Sequence, residues 1–162
     1  YVINWDMEGI EVINFKGSNI RNKKIGFVFQ DYYLDEKLTA LENVLLPTII
    51  NKDISSKEAK TKAIDLLNKF GLDKRTNHLP STLSGGEKQR VAIVRAIINN
   101  PDILLADEPT GNLDVESEEN VMFILKNISN SGKCVIMVTH NTDLIKYADK
   151  VYNLENGVLN EK

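Results

Sequence analysis

Two short, wholly apolar runs constrain the fold of this chain more than any other feature. Residues 103–106 read Ile-Leu-Leu-Ala, residues 134–138 read Cys-Val-Ile-Met-Val, and a helical pattern at 116–130 lies between them. An apolar run of this length is typical of a strand that is buried on both faces. Two such strands joined by a crossover helix run parallel. The sequence therefore predicts an α/β fold in which helices cover both faces of a parallel sheet.

The remaining pattern divides the chain into a sheet-bearing part and a helical part. Further strands are predicted at 1–5, 10–15 and 25–30, and a C-terminal hairpin at 150–159. Helices are predicted at 39–50, 56–70, 87–99 and 142–148, and Pro47 should kink or end the first of them. We therefore predict a core formed by residues 1–30 and 83–162, with a helical subdomain at 31–82 inserted into it.

Composition indicates a globular domain and argues against two kinds of partner. The chain has 162 residues, of which 42% are hydrophobic, and a net charge of -3. That balance does not favour binding to nucleic acid or to an anionic membrane surface, because both depend on an excess of Lys and Arg. Cys134 is the single cysteine and is predicted to be buried in a reducing compartment. No apolar run reaches ~18 residues and no secretion signal is recognisable, so we expect a cytoplasmic location.

A serine and two glycines introduce a helix at residues 84–86, within the string Leu-Ser-Gly-Gly-Glu-Lys-Gln-Arg. Glycines let backbone N–H groups approach a ligand closely, and the start of a helix presents unpaired N–H groups and the positive end of its dipole. A plain serine-capped helix would explain these three residues alone. The full string, followed by a strand that ends in two carboxylates, favours a phosphate-binding turn.

Polar side chains end three of the predicted strands. Asp107 and Glu108 follow the first apolar run, His140 follows the second, and Gln30 ends the strand at 25–30. Because ligands bind at the carboxyl ends of parallel strands, we expect these side chains to converge. Adjacent carboxylates there suit Mg²⁺, with Asp107 toward the metal and Glu108 toward a water. His140 could then contact a terminal phosphate, and Gln30 could ligate metal or water. Surface carboxylates and a loop histidine are the competing explanations.

One motif does not occur in the sequence. The 162 residues contain no G-x-x-x-x-G-K-[ST] string, which would supply a lysine and a nest of backbone N–H groups for the phosphates of a nucleotide. The glycines and lysine at 85–88 cannot replace it, because their spacing is wrong. Little else is predicted to hold a nucleotide belonging to this chain.

Five motifs in order resemble those of the ATP-binding domains of ABC transporters. Gln30 in Gly-Phe-Val-Phe-Gln is similar to the Q-loop, residues 83–90 to the signature motif, and residues 103–108 to Walker B with its catalytic glutamate. Residues 111–114 resemble the D-loop, and His140 resembles the switch histidine. The resemblance implies a P-loop NTPase-like (RecA-like) core with a helical ABC subdomain. It also implies that the N-terminal part with the Walker A strand is missing.

The resemblance assigns the site residues to two half-sites that meet when two such domains pack head to tail. For the chain's own ATP and Mg²⁺, Asp107 and Gln30 would address the metal, Glu108 would polarise the attacking water, and His140 would hold the γ-phosphate. The other half-site would contact the ATP of the second domain through Ser84, Gly85, Gly86 and Glu87, and Asp114 would couple the two sites. Glu87 stands where the family most often has glutamine.

Partners and location are also implied by the resemblance. The text around 39–47 and 71–80 is similar to the branch that serves lipoprotein release and macrolide or antimicrobial-peptide export. Residues 31–82 would dock on an integral-membrane permease, so the subunit would be cytoplasmic and peripheral at the inner face of the cell membrane. A second ATP-binding domain would complete a homodimer, and no nucleic acid would bind.

The missing motif leads to further expectations. Without a P-loop, the isolated chain is predicted to be inactive. Two alternative functions are a non-catalytic module that supplies its signature to a complete ATPase, and an ABC ATPase outside transport. Because the family's strand before Walker A lies beside residues 134–139, its absence should leave an apolar sheet edge unpaired. We expect a second chain to cover that edge in an oligomer.

Overall fold

A six-stranded, mostly parallel sheet organises the molecule. The structure is a computed structural model and describes residues 2–4, 23–51 and 53–162. The strands are β1 (Val2–Asn4), β2 (Ile25–Val28), β3 (Ile103–Asp107), β4 (Cys134–Val138), β5 (Val151–Glu155) and β6 (Val158–Glu161). Their order is β2-β3-β4-β1-β5-β6, and β6 runs antiparallel to β5. The predicted parallel α/β fold is therefore confirmed, while the strand predicted at 10–15 lies outside the described residues.

β5 and β6 form the C-terminal hairpin that the sequence predicts. Glu155 pairs with Val158, which leaves a two-residue turn. Asn156 and Gly157 in that turn have φ values of 51° and 77°. Two left-handed residues match the twist of an antiparallel pair, and Asn-Gly is the sequence that adopts them most readily.

The expectation of an open edge beside β4 is wrong. β1 lies between β4 and β5, where Val2 pairs with Met137 on one side and with Val151 on the other. A strand edge presents a row of backbone N–H and C=O groups that any extended segment can satisfy. Residues 2–4 satisfy them from within the same chain. The prediction of an oligomer formed through that edge therefore loses its basis.

Capping boxes begin the first three of the described α-helices. These helices are α1 (Ala40–Leu45), α2 (Ser56–Lys69), α3 (Gly85–Ile97) and α4 (Val115–Asn130). In each box a Ser or Thr side chain and a Glu side chain accept from each other's backbone N–H; the pairs are Thr39/Glu42, Ser55/Glu58 and Ser84/Glu87. Pro47 lies in a 3-10 turn that ends α1, as predicted. The predicted helix at 142–148 is a 3-10 segment, Thr142–Tyr147. No helix among the described residues has both the length and the apolar character to cross a bilayer.

Two buried apolar clusters share α3. Ile93 of α3 packs with Leu104 of β3, Val121 of α4 and other residues on one face of the sheet. Other α3 residues, Val91 among them, pack with Val44 of α1 and further residues of α1 and α2. The helix that begins at the serine-glycine turn is therefore held by both the sheet and the helical segment.

Among the described residues, the opposite face of the sheet is less covered than the sequence predicts. On β3, Leu104 and Ala106 are buried, whereas Ile103 and Leu105 are only half-buried. Phe27 of β2 is 42% exposed. The two faces differ in burial because α3 and α4 both contribute to the cluster that contains Leu104, so both helices pack on the same face of the sheet. Cys134, which pairs with Ile103, is likewise half-buried rather than buried.

Candidate active site

Glu108 and His140 are in hydrogen-bonding contact at the carboxyl ends of β3 and β4. Glu108 Oε1 accepts from the His140 backbone N–H at 2.8 Å and lies 2.7 Å from His140 Nδ1. Glu108 Oε2 accepts from the Thr139 hydroxyl at 3.1 Å. The Glu108 side chain is 19% exposed and that of His140 is 79% exposed. The carboxylate is therefore fixed from one side, and the imidazole reaches outward.

The backbone at Glu108 adopts a conformation that side-chain-bearing residues rarely take. Its φ is 43°, in the left-handed region. The Glu108 N–H donates to the Val138 carbonyl at 2.9 Å, and the Gly111 N–H donates to the Glu108 carbonyl at 3.1 Å. These bonds hold the turn after β3 and bring the carboxylate toward β4. Strain of this kind, about 1–3 kcal/mol, clusters at functional sites.

An open polar cavity of about 380 Å³ lies beside this pair. Glu108, Thr110, Glu118, His140 and Asn141 are among its walls. Asn141 Nδ2 donates to Glu118 Oε2 at 3.3 Å, so the second acidic wall residue is held by a neighbour. The cavity has room for several water molecules and offers both donors and acceptors to a polar ligand.

Asp107 ends β3 with an exposed side chain. Within the described ranges, no three His, Cys, Asp or Glu side chains come close enough to hold a metal ion by themselves. This arrangement does not suit a closed Zn²⁺ or Ca²⁺ site. It does suit Mg²⁺, which is usually bound by one or two carboxylates together with waters and substrate phosphates.

Gln30 lies against residues 111 and 112. Its Nε2 donates to Asn112 Oδ1 at 3.3 Å, and Asn112 Nδ2 donates to the Gln30 carbonyl at 3.4 Å. A Cβ atom at Gly111 would lie 2.8 Å from Gln30 Nε2. The structure thus joins Gln30 to the segment after Glu108, and gives it no hydrogen bond to Asp107 within the described part of the chain. The Gln30 amide oxygen is the atom that could ligate a cation.

Ser84 caps α3 and leaves the first N–H groups of that helix available. Its hydroxyl accepts from the Glu87 N–H at 3.2 Å, and its own N–H donates to Glu87 Oε2 at 2.9 Å. The N–H groups of Gly85 and Gly86, in the first turn, have no intrahelical partner. Ser84 is exposed and Gly85 is half-buried, whereas Gly86 is buried, so an anion can reach this helix start from the side of Ser84 and Gly85.

Glu87 is paired within the chain. Arg75 Nε donates to Glu87 Oε1 at 2.8 Å, and the two side chains are 41% and 18% exposed, respectively. Burial would raise the pKa of Glu87, but hydrogen bonds from Arg75 and Ser84 and the charges of Arg75 and Arg90 lower that pKa overall. The carboxylate is therefore ionised at neutral pH, and a guanidinium offsets its charge.

The serine-glycine turn packs against the start of α4. A Cβ atom at Gly86 would lie 2.6 Å from Ser117 Oγ and 3.0 Å from Ser117 Cβ, and one at Gly85 would lie 3.2 Å from the Tyr32 hydroxyl. Asp114 caps α4, because its carboxylate accepts from the Ser117 N–H at 2.9 Å and from the Ser117 hydroxyl at 3.0 Å. These bonds lower the pKa of Asp114. Ser117 thus connects the turn to the segment at 111–114.

Two further residues of α3 hold the loops of the site and were not anticipated. Gln89 is fully buried, and its Nε2 donates to the Pro109 carbonyl at 2.7 Å, directly after Glu108. Arg95 Nη2 donates to the Tyr32 carbonyl at 2.7 Å, and Nη1 donates to the Tyr33 carbonyl. Both interrupt the apolar pattern of the helix, and that interruption is a signal, because a buried polar side chain needs a partner. Arg75 carries no comparable signal.

Sequence comparisons relate the chain to one family. The family model described as ABC transporter matches residues 3–111. The chain is 44% identical over 158 residues to YvrO of Bacillus subtilis (strain 168), named an uncharacterized ABC transporter ATP-binding protein, covering 96% of this chain and 69% of that protein. It is 43% identical over 145 residues to the lipoprotein-releasing system ATP-binding protein LolD of Francisella tularensis, covering 89% and 63%. The chain belongs to the ABC transporter family.

A solved structure with a similar fold supports this assignment. The ATP-binding cassette MJ0796, described as a dimer in a post-hydrolysis state bound to ADP and Pi, has a TM-score of 0.77 and 42% identity, covering 89% of this chain and 64% of that chain. The chain spans 63% to 69% of the length of the two ABC relatives named above. The ABC family match includes Gln30, Ser84 and Glu108, whereas Asp114 and His140 lie beyond its end at residue 111.

Proposed function

We propose that the chain is the hydrolytic and signature-bearing part of an ATP-binding subunit that energises export by an ABC transporter. The observation that carries the proposal is the Glu108 carboxylate, which Thr139 and His140 hold beside an open polar cavity. A carboxylate in a fixed orientation with access to solvent can serve as the general base for an attacking water.

Glu108 retains acceptor capacity for that water. Its two oxygens accept from Thr139 and His140, and an ionised carboxylate has about four lone-pair sites, so both oxygens can accept further. His140 turns Nδ1 toward Glu108. Its Nε2 is consequently the ring nitrogen that can donate to a phosphate oxygen when the imidazole is protonated.

Asp107 and Gln30 are the residues that would hold Mg²⁺. The exposed carboxylate of Asp107 at the end of β3 and the amide oxygen of Gln30 are hard ligands of the kind that Mg²⁺ prefers. The ion would offset the charge of the nucleotide phosphates when bound. In this proposal Asp107 and Gln30 also orient the metal relative to Glu108.

Ser84, Gly85 and Gly86 would contact the γ-phosphate of ATP that a second copy of the full-length subunit holds. The exposed Ser84 hydroxyl and the free N–H groups of the first turn of α3 support this role. MJ0796 is described as dimeric and bound to ADP and Pi, which favours a homodimer here. Glu87 would act through the turn, since its carboxylate bonds to Ser84 and Arg75. Asp114 would couple the two sites through Ser117, which packs on Gly86.

Residues 31–82 would form the docking surface for an integral-membrane permease. Three apolar side chains near the end of α1 are exposed: Leu46 by 37%, Ile49 by 76% and Ile50 by 51%. Adjacent exposed apolar side chains are typical of a surface that another protein covers. The subunit would then be cytoplasmic and attached to the inner face of the membrane through that partner.

Turnover of ATP by the full-length protein tests the proposal. Replacing Glu108 by Gln should lower Mg²⁺-dependent hydrolysis about 10²–10⁴-fold, because a general base contributes that much. Glu118→Gln is the matched control, since Glu118 lines the same cavity but bonds to Asn141. It should retain most of the turnover. An inactive wild-type protein, or full activity in Glu108→Gln, would contradict the proposal.

A second candidate function rests on the exposed serine-glycine turn at the start of α3 alone. The chain would then be a non-catalytic module that supplies its signature turn to a complete ATPase. The two candidates differ in what the full-length protein does alone, because the ATPase proposal requires ATP turnover and the module hypothesis requires none. The module hypothesis further requires ATP-dependent binding to a complete ABC ATPase that is lost in Ser84→Arg.

A further inference from the structure

Glu87 places a negative charge at the turn where the proposed function puts a phosphate. Its carboxylate is bonded to the Ser84 N–H, so it cannot rotate away without breaking the cap of α3. An uncompensated charge there would repel the nucleotide. A turn that contains a carboxylate and also binds an anion therefore needs a fixed cation beside it.

We propose that Arg75 is a positioning residue that neutralises Glu87 and thereby keeps the serine-glycine turn able to accept a phosphate of ATP. The inference rests on the proposed function. The direct contact is Arg75 Nε to Glu87 Oε1, at 2.8 Å. Arg90 also acts on Glu87, but through its charge alone.

The backbone around Arg75 explains how the guanidinium reaches Glu87. Arg75 ends a 3-10 turn, Asp73–Arg75, and the Arg75 N–H donates to the Leu72 carbonyl at 2.9 Å. The following residues are bonded to the start of α1: the Leu41 N–H donates to the Thr76 carbonyl at 3.0 Å, and the Ala40 N–H to the His78 carbonyl at 2.9 Å. The cation is thus delivered from the helical segment to the helix start of α3.

Electrostatic and structural roles of Arg75 can be separated at Glu87. Glutamine at position 87 would preserve the capping box, because its amide oxygen can accept from the Ser84 N–H, yet it carries no charge. If Arg75 acts by neutralisation, the need for it disappears when Glu87 becomes Gln. If Arg75 acts only by packing, that need remains.

The experiment measures KM for ATP and kcat in the full-length protein for four forms: wild type, Arg75→Gln, Glu87→Gln and the double variant. Arg75→Gln should raise KM about five-fold with a smaller change in kcat, since one nearby charge is worth about that much at a partly exposed site. The double variant should return KM close to the wild-type value. Lys74→Gln is the matched control. It removes a positive charge from the exposed residue that precedes Arg75, and it should leave KM unchanged.

Two outcomes would overturn the inference: an unchanged KM in Arg75→Gln, or a double variant as impaired as Arg75→Gln alone. An inactive wild-type protein would count against the proposed function instead. In that case the NMR titration of the Glu87 carboxyl tests whether Arg75 and Glu87 form an ion pair. Its pKa should rise in Arg75→Gln, and an unaltered titration would overturn the pairing itself.

Discussion

The serine-glycine turn and the strand-end site are both proposed to act on ATP, but contacts within the chain satisfy their polar groups to different degrees. At the turn, Glu87 accepts from both Ser84 and Arg75, and Gly86 packs on Ser117. At the strand ends, Glu108 is bonded from one side, while the side chains of Asp107 and His140 are exposed.

This difference indicates what each region contributes. The turn is organised by contacts within the chain, so its residues should contribute to the stability of the fold. The strand-end side chains can still accept or donate hydrogen bonds to a ligand. Glu108 is also held at a φ of 43°. Substitutions at the turn should therefore cost stability as well as activity, and substitutions at the strand ends should mainly cost activity.

Adding one methyl group to a glycine in each region should give the largest contrast. Gly86→Ala places a Cβ 2.6 Å from Ser117 Oγ and 3.0 Å from Ser117 Cβ. Either α3 or α4 must therefore shift to relieve the overlap. We expect a loss of about 1–3 kcal/mol in the free energy of unfolding, measured by urea denaturation. Gly111→Ala meets the end of the flexible Gln30 side chain and should cost less stability while lowering turnover. Equal losses of stability in the two variants would break the comparison.

Removing one polar group from each region should give a smaller contrast. Ser84→Ala removes the cap of α3 and should cost about 1 kcal/mol of unfolding free energy. Asp107→Asn changes an exposed side chain and should alter that free energy by less than about 0.5 kcal/mol. It should, however, raise the Mg²⁺ concentration needed for hydrolysis. An unchanged free energy of unfolding in Ser84→Ala, or an unchanged Mg²⁺ requirement in Asp107→Asn, would contradict the assignment of roles.

The smallest expected effect is a pH dependence at the turn. Because the pKa of Glu87 is lowered in the folded chain, the group binds its proton less tightly when folded than when unfolded. Its contribution to stability is present above its unfolded pKa of about 4.3 and is lost as the pH falls through the lower folded value. Urea denaturation across this range should show a shallower acid loss of stability in Glu87→Gln than in wild type. Identical slopes would mean that the Glu87 interactions are as strong in the unfolded chain.

The sequence was most informative where periodicity and capping chemistry act locally. The apolar runs predicted β3 and β4, and Thr39 with Glu42 predicted the start of α1, because a capping box needs only four consecutive residues. Pro47 predicted where that helix ends. The position of His140 beside Glu108 follows from parallel strands whose carboxyl ends share one edge of the sheet.

Contacts between distant segments leave no local pattern in the sequence. Arg75 lies 12 residues before Glu87, and nothing in the intervening sequence indicates that its turn points the guanidinium back. The place of residues 2–4 inside the sheet depends on which strand edge is vacant, which no local pattern records. Helix coverage of each face also depends on the side to which each crossover returns, and no local pattern records that side.

The central claim is that an active site is built from the strand ends of one chain and the serine-glycine turn of another. Mixing two inactive full-length variants, Glu108→Gln and Ser84→Arg, tests it directly. In a mixed dimer, one site would combine an intact Glu108 with an intact Ser84, and the other site would carry both changes.

We therefore expect an equal mixture to recover about one quarter of the wild-type turnover, since half of the symmetric dimers become mixed and each of these has one intact site. A mixture that is no more active than its separate components would contradict the account, because each site would then draw both halves from the same chain.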